Sequence, residues 1–82
     1  MISTLPSAVR FHRRKAGLTQ AGLARLAGVG KTVVFDIEKG KETIRLRTLL
    51  RVLDALNITL QWTSPLASDF AEYAQERAGE SD

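Results

Sequence analysis

The amino-acid sequence predicts an all-α fold of four to five short helices with a short strand in its C-terminal part. Apolar residues recur at helical spacing in four segments, and each of these segments ends at glycine or asparagine. Strict alternation of apolar and polar residues occurs once, late in the chain. With 82 residues, the chain has the length of one small domain. A domain of this size buries only about 60% of the surface that its unfolded chain exposes, so burial against a partner subunit would add useful stability.

The four predicted helices cover residues 5–16, 20–27, 31–39 and 46–56. The first three follow residues that are favoured or tolerated as N-caps, namely Thr4, Thr19 and Gly30. The four helices end at Gly17, Gly28, Gly40 and Asn57. In the second helix, the residues expected to face the core are Leu23, Leu26 and Ala27. The fourth helix has the clearest apolar stripe, formed by Leu46, Leu49, Leu50, Leu53 and Leu56.

A strand is predicted over residues 58–63, where Ile58, Leu60 and Trp62 alternate with polar residues. Its backbone N–H and C=O groups need partners, and the sequence contains no second convincing strand. Pairing with the same segment of a second subunit would form an antiparallel ribbon across a two-fold axis, with these three apolar residues in the dimer interface. An extended segment that packs on its own domain is the alternative.

The charge is unevenly divided between residues 1–63 and residues 64–82. The first part carries 11 basic and 4 acidic side chains, a net charge of +7, whereas the second carries 1 basic and 5 acidic, a net charge of −4. A basic body suits a polyanion such as nucleic acid, because neutralisation of phosphates releases counterions. The acidic tail is expected to contain a short helix that starts near Ser68 or Asp69 and to be disordered from about Ala78. Phe70 and Tyr73 in this tail are also compatible with docking of a protein partner.

Several function classes lack the residues that they require. The chain has no cysteine and a single histidine, His12, so we expect no metal site and no disulfide. We find no Ser-His-Asp set, no convincing carboxylate pair and no complete phosphate-binding loop, so neither enzymatic activity nor a cofactor is expected. Together with the lack of a recognisable signal peptide or a membrane-spanning apolar stretch, the absence of cysteine predicts a cytoplasmic protein.

Residues 19–39 are predicted to form a helix-turn-helix. Two short helices meet at a turn over residues 28–30, and the small side chain of Ala24 lets them cross closely. Val34 and Ile37 face inward and hold the second helix in place. This helix is about 13 Å long, which suits the major groove of DNA.

The motif also resembles a known family. The runs GLTQ, LARLAGV and VVFDIEKGK resemble the XRE or lambda-repressor-like helix-turn-helix, and the similarity extends over residues 5–60. The continuation GKETIRLRTLLRVLDALNITLQW is similar to HipB-type antitoxins, which bind HipA-type kinase toxins and repress their own operons. The resemblance implies a homodimer in which residues 1–63 bind an operator palindrome and dimerise. A stand-alone phage or plasmid repressor, or a protein-binding module with weak DNA binding, are the alternatives.

Candidate DNA-contacting residues follow from the motif and the resemblance. Family members place a glutamine at the position of Gln20 against the DNA backbone. Lys31 and Thr32 open the recognition helix, where lysine suits guanine and the threonine methyl suits thymine. The further candidates for base or phosphate contacts are Phe35, Asp36, Lys39, Lys41, Arg45 and Arg47.

Two positions depart from the family pattern, and one pair is expected to have a structural role. Many relatives have a small polar residue at the position of Phe35, and often Ser or Lys at the position of Gly30. Phe35 is expected to contact a sugar or thymine methyl, or to pack on the first helix. Arg13 and Glu38 resemble the pair that bridges the first and third helices in this family, and removing one partner of such a pair is costly if it is part-buried.

Overall fold

The computed structural model describes residues 4–78 and contains five α-helices in that range. The helices are α1 (Leu5–Lys15), α2 (Gln20–Ala27), α3 (Lys31–Lys39), α4 (Leu46–Ala55) and α5 (Ala67–Glu76). The predicted all-α fold is confirmed, and the first four helices end within one residue of their predicted limits. The disorder expected after Ala78 concerns residues 79–82, which lie outside the described range. None of the helices in residues 4–78 is both long and apolar enough to cross a lipid bilayer.

Helices α1 to α4 surround one small core. α2 packs against α3 and α4, and α1 packs against α3. The buried apolar side chains are Val9, Leu23, Ala24, Val34, Ile37, Val52 and Leu53. Leu26, which the sequence analysis placed in the core, is 62% exposed. The prediction was wrong because α2 buries the side between Leu23 and Ala24, and Leu26 is turned about 110° away from the middle of that side.

The helix ends show which caps form. The backbone N–H of Gly22 donates to the Thr19 hydroxyl oxygen at 2.9 Å, so Thr19 caps α2 as predicted. Thr4 precedes α1, but it has helical backbone angles and its side chain accepts no capping hydrogen bond. Thr4 therefore does not act as the side-chain N-cap that we expected, because a capping residue needs an extended backbone.

The turn between α2 and α3 depends on Gly28. This residue has φ = 74°, a left-handed conformation, and its N–H is directed at the carbonyls of Ala24 and Arg25. The N–H of Val29 also donates to the carbonyl oxygen of Ala24, at 2.9 Å. Glycine adopts positive φ without a steric penalty, so the chain can turn here and α3 packs against α2.

The C-terminal part of the chain is much more exposed than the sequence pattern predicts. Leu53 is buried, but Leu46 and Leu50, on the same predicted stripe of α4, are 64% and 43% exposed. Leu46 and Leu50 are exposed because the apolar stripe of α4 is wider than the part of α4 that the rest of the chain covers. Helix α5 buries none of its residues.

The segment expected to be a strand is extended but has no strand partner among residues 4–78. Ile58 packs against the core, and its N–H donates to the carbonyl oxygen of Leu53 at 2.9 Å. Leu60 and Trp62 are 45% and 63% exposed. Within the described chain, the N–H groups of residues 59–63 donate no backbone hydrogen bond. The ribbon between two subunits therefore stays a prediction, because a second chain is needed to form it.

Candidate nucleic-acid interface

Helix α3 presents a narrow exposed surface along its length. Its N-cap Gly30 has an extended backbone without a side-chain cap, and Val34 and Ile37 bury the opposite side of the helix. Lys31, Thr32, Phe35 and Lys39 are all exposed. At 100° per residue these four side chains fall within an arc of about 100°, so we call them the recognition surface. Neither Lys31 nor Thr32 makes a hydrogen bond or ion pair within the described chain, so both are available to an external ligand.

An aromatic side chain occupies the middle of the recognition surface. Phe35 is 46% exposed and is not part of the core. The ammonium group of Lys39 lies 5.2 Å from the centre of its ring. Cation–π pairs at exposed sites are worth about 0.5–1 kcal/mol, enough to bias the lysine toward the ring but not to fix it there. The pair therefore combines an apolar face with a positive charge on the outer side of α3.

Asp36 lies at the edge of the recognition surface, and it is paired. Its carboxylate oxygen Oδ2 is 3.5 Å from Nζ of Lys41 in the following loop. The Asp36 side chain is 24% exposed and the Lys41 side chain is 51% exposed. Exposed ion pairs of this kind contribute about 0–1 kcal/mol. Their main consequence here is electrostatic, because Lys41 offsets a negative charge that would otherwise repel phosphate. The sequence analysis did not predict this pairing.

Glu38 ties α3 to α1, as the family resemblance implied. Arg13 Nε donates to Glu38 Oε2 at 2.6 Å, and Arg13 Nη2 donates to Oε1 at 3.0 Å. The third guanidinium nitrogen, Nη1, donates to the carbonyl oxygen of Leu18 at 2.9 Å. The Glu38 side chain is 1% exposed and that of Arg13 is 10% exposed. This two-bond geometry fixes both the position and the rotation of α3 relative to α1.

Two further side chains converge on the same carboxylate. Gln20 Nε2 donates to Glu38 Oε1 at 3.1 Å. Arg10 Nε lies 3.5 Å from Oε1, and Arg10 Nη2 donates to the backbone carbonyl of Glu38 at 3.5 Å. A carboxylate only accepts hydrogen bonds, so the amide NH₂ of Gln20 must face it. The sequence analysis missed Arg10, although its position three residues before Arg13 puts both on one side of α1.

These contacts set the charge state of Glu38. Burial disfavours the charged carboxylate and alone would raise its pKa. The hydrogen bonds from Arg13 and Gln20, the positive charge of Arg13 and the contact with Arg10 outweigh burial, so the pKa of Glu38 lies below its usual value of 4.5. The hydrogen bond to Glu38 also raises the pKa of Arg13. Glu38 and Arg13 are therefore charged at neutral pH, and the cluster is a structural anchor for α3.

The remaining basic candidates occupy two different places. Lys39 is the last residue of α3 and Lys41 lies in the loop to α4, and both are exposed. Arg45 is the N-cap residue of α4 and is exposed. Arg47 is also exposed, but it lines a groove beside Leu50 on the outer side of α4. Three of these cations thus lie at the end of α3 or in the loop that follows it, whereas Arg47 belongs to the more apolar C-terminal surface.

Comparisons with proteins of known sequence agree with this geometry. The helix-turn-helix family matches residues 9–63. An uncharacterized HTH-type transcriptional regulator from Sinorhizobium fredii, y4mF, is 37% identical over 57 residues, which are 70% of this chain and 75% of that protein.

Solved structures have a similar fold. An MDT protein has a TM-score of 0.67 at 22% identity, over 76% of this chain and 87% of its own. A HipA–HipB–O2–O3 complex contains a chain with the same TM-score, identity and coverage. A HipB variant in complex with an O2 20mer gives a TM-score of 0.66 at 24% identity, over 74% of this chain and 85% of its own. At these identities the likeness shows the fold alone. The family match over residues 9–63 and the identity with the y4mF regulator show what the chain is. It is a helix-turn-helix transcriptional regulator, and it belongs to the XRE type of that family.

Proposed function

We propose that the protein is a sequence-specific DNA-binding repressor that acts as a homodimer on an operator inverted repeat in the bacterial cytoplasm. One observation carries the proposal: the exposed side of α3 presents Lys31, Thr32 and Phe35, while Glu38 on its buried side anchors the helix to α1. A base-reading helix needs this combination, because its outer side chains can be directed at bases only if its axis is held in place.

The side chains of the recognition surface suit base edges in the major groove. Lysine donates to guanine O6 and N7, and the threonine methyl and the phenylalanine ring suit the thymine methyl. The cations Lys39, Lys41 and Arg45 suit phosphates, and each phosphate contact adds to the salt dependence of binding. Gln20, at the start of α2, would contact a phosphate with the amide that Glu38 orients. Asp36 is proposed to act through Lys41 more than by accepting from cytosine, since the two are already paired.

Dimerisation would place two copies of this surface on one face of the DNA. In dimeric helix-turn-helix proteins the recognition helices enter successive major grooves about 34 Å apart. The exposed side chains of Leu60 and Trp62, and the unpaired backbone of the segment that carries them, support a ribbon between two subunits. Bound over a promoter, such a dimer would repress by excluding the polymerase. In this proposal residues 1–63 bind DNA and dimerise, and residues 64–82 are an acidic extension.

At a finer level, we propose a HipB-type antitoxin that represses its own operon and binds a HipA-type kinase toxin. The sequence similarity over residues 40–62 and the fold shared with chains of the HipA–HipB–O2–O3 complex support this role.

A protein-binding module with little DNA binding is the second candidate, and the exposure of Phe70 and Tyr73 favours it. A stand-alone repressor would have the same DNA interface without the toxin.

DNA binding is best tested on the promoter region of the protein's own operon, by fluorescence anisotropy between 50 and 200 mM salt, against random DNA of equal length. The test variant is Lys31→Ala/Thr32→Ala. The matched control is Lys15→Ala/Ser7→Ala, which also removes one lysine and one hydroxyl, from exposed positions on α1. We expect the test variant to lose about tenfold or more of its preference for the promoter, because good base contacts contribute about 1–3 kcal/mol each.

Two results would change the proposal. If the wild-type protein shows no preference for the promoter over random DNA, autorepression is excluded as the main function and the protein-binding module becomes the leading candidate. If DNA binding holds but no kinase is encoded beside the gene, or such a kinase does not co-purify with the protein, the antitoxin role fails and a stand-alone repressor remains.

A further inference from the structure

The outer side of α4 forms one wall of an open apolar groove. The groove has a volume of about 770 Å³, and the extended segment after α4 forms its other wall. Its apolar lining includes Leu46, Leu50 and Leu60, which are 64%, 43% and 45% exposed. Arg47 and Arg51 also line it, and neither has an ion-pair partner among residues 4–78. The groove thus presents apolar surface together with two unpaired positive charges, offset only by Asp54.

Helix α5 has the complementary character. Its acidic residues Asp69, Glu72 and Glu76 recur at intervals of three and four, so they lie on one side of the helix. Phe70 and Tyr73 lie on the neighbouring side and are 47% and 53% exposed. None of the acidic residues forms an ion pair within the described chain.

Helix α5 also lacks the packing that a helix of its length needs. It has 10 residues and buries none of them, and its N-terminal half contacts Trp62 through Phe70, with ring centres 5.4 Å apart. Isolated helices shorter than about 12–15 residues are marginal in water. The radius of gyration of the chain is 15.8 Å, whereas a compact chain of this length has about 12 Å. An apolar and acidic helix therefore projects from the body with little surface of its own chain to pack on.

The order of elements decides which groove α5 can reach in a dimer. If residues 58–63 pair antiparallel with the same segment of a second copy, residue 63 of one chain lies beside residue 58 of the other. Residue 58 lines the groove and follows α4 closely. Only residues 64–66 separate the end of the ribbon from α5, a span of about 10–14 Å at most. The ribbon would thus deliver α5 to the groove of the partner subunit.

We propose that α5 is exchanged between subunits, so that each α5 packs into the α4 groove of a second copy of this chain. Phe70 and Tyr73 contact the groove leucines, and the acidic side of α5 faces Arg47 and Arg51. This inference rests on the homodimer of the proposed function and adds a second interface to the ribbon. The segment over residues 64–76 then takes part in the dimer.

The absence of cysteine allows a direct cross-linking test in the full-length chain. A Leu50→Cys chain is mixed with a mass-tagged Tyr73→Cys or Phe70→Cys chain, refolded together, and mildly oxidised. A disulfide forms only when the two Cα atoms approach within about 7 Å. We expect a disulfide-linked heterodimer in the majority of mixed dimers. The matched control replaces Leu50→Cys by Arg14→Cys, on the exposed side of α1, and should give no cross-link.

The outcomes separate this inference from the dimer itself, because native mass and promoter binding are measured on the same samples. A dimer that binds DNA but yields no cross-link above the control overturns the exchange and leaves the proposed function intact. A chain that carries Leu50→Cys/Tyr73→Cys and closes an intrachain disulfide also overturns it, because α5 then packs on its own groove. A chain that stays monomeric overturns both.

Charge reversal gives an independent readout, with the dimer dissociation constant measured without DNA. Arg47→Glu/Arg51→Glu and Asp69→Lys/Glu72→Lys should each weaken the homodimer by about tenfold. An equimolar mixture of the two variants should form the heterodimer in preference to either homodimer. If reversal of the α5 charges leaves the homodimer unchanged, α5 does not contact the arginines of a second copy and the inference is wrong.

Discussion

Helices α1 to α3 and the region from α4 to α5 differ in how completely one chain covers their apolar and charged groups. Around Glu38, a buried carboxylate receives hydrogen bonds from three side chains of α1 and α2, and only three large apolar side chains of α1 to α3 are exposed. Between residues 46 and 73, by contrast, seven large apolar side chains are exposed. The buried polar cluster of α1 to α3 is satisfied within one chain, whereas the region from α4 to α5 leaves more apolar surface exposed. In the proposed homodimer, the surface that α4 and α5 leave exposed would be buried between subunits.

The largest expected effect follows from removing the anchor of α3. Glu38→Ala leaves the guanidinium of Arg13 buried without its partner, and such losses cost about 3–5 kcal/mol. Thermal and urea unfolding should show this loss of stability. Glu42→Ala, at an exposed loop position without an ion pair in the described chain, is the control and should stay within about 0.5 kcal/mol of wild type.

The same site allows a rescue. Arg13→Met/Glu38→Leu removes both charges, and apolar pairs of similar volume are often as stable as the buried ion pair that they replace. We expect the double variant to be more stable than Glu38→Ala. Equal stability of Glu38→Ala and wild type would show that the cluster does not hold α1 and α3 together.

Two leucines of α4 test the contrast on a single helix. Leu53 is 1% exposed, and Leu53→Ala should lower the free energy of unfolding by about 2–5 kcal/mol at any protein concentration. Leu50 is 43% exposed, so Leu50→Ala should have little effect on the dissociated chain but should raise the dimer dissociation constant. Unfolding over a range of protein concentrations separates these effects. If Leu50→Ala lowers the free energy of unfolding by a large amount at every protein concentration, Leu50 belongs to the core of the single chain.

Low pH should lower the free energy of unfolding, and part of this effect should depend on Glu38. The pKa of Glu38 is lowered in the folded protein, mainly because hydrogen bonds from Arg13 and Gln20 outweigh the opposing effect of burial. The Glu38 carboxylate therefore takes up a proton at higher pH in the unfolded chain than in the folded one. The stabilisation that the charged carboxylate provides is present above about pH 4.5 and is lost as the pH falls further. Urea unfolding from pH 6 to pH 3 should show less pH dependence for Glu38→Gln than for wild type. An identical pH dependence in both proteins would contradict the assignment.

The smallest expected effect concerns the recognition surface. If Phe35 contacts a thymine methyl, replacing operator thymines by uracil should weaken binding by about fourfold per contacted methyl, or about 0.8 kcal/mol. Phe35→Ser should bind both DNAs more weakly than the wild-type protein does. Its affinities for the thymine and the uracil operator should be similar to each other. If uracil weakens wild type and Phe35→Ser to the same extent, another side chain reads the methyl group.

The sequence predicted most of the fold because its helices are short and clearly delimited. Thr19 and the glycines at positions 17, 28 and 40 mark the ends of α1 to α3 to within one residue. Leu26 was misplaced because on a helix of eight residues two neighbouring sides have similar apolar content. The exposure of Leu46 and Leu50 could not be predicted, because periodicity marks an apolar stripe but does not show how much of it one chain covers.

Predictions for the candidate site divide in a similar way. The Arg13–Glu38 pair followed from the family resemblance, and the structure confirms the contact. The contribution of Arg10 and the Asp36–Lys41 pair were missed, because long side chains reach partners that only the mutual placement of helices determines. Contacts with DNA by Lys31 and the other candidates stay predictions, since they require a second molecule.

The side chains at the start of α3 have a consequence for how such a regulator changes over evolution. Lys31 and Thr32 are exposed and make no hydrogen bond within the described chain, whereas the residues that orient α3 lie on its other side. In the proposed DNA-binding mode, substitutions at these two positions would alter the base contacts of the helix at little cost to folding. A duplicated gene could acquire a new operator through one or two codon changes, while both copies keep the same scaffold.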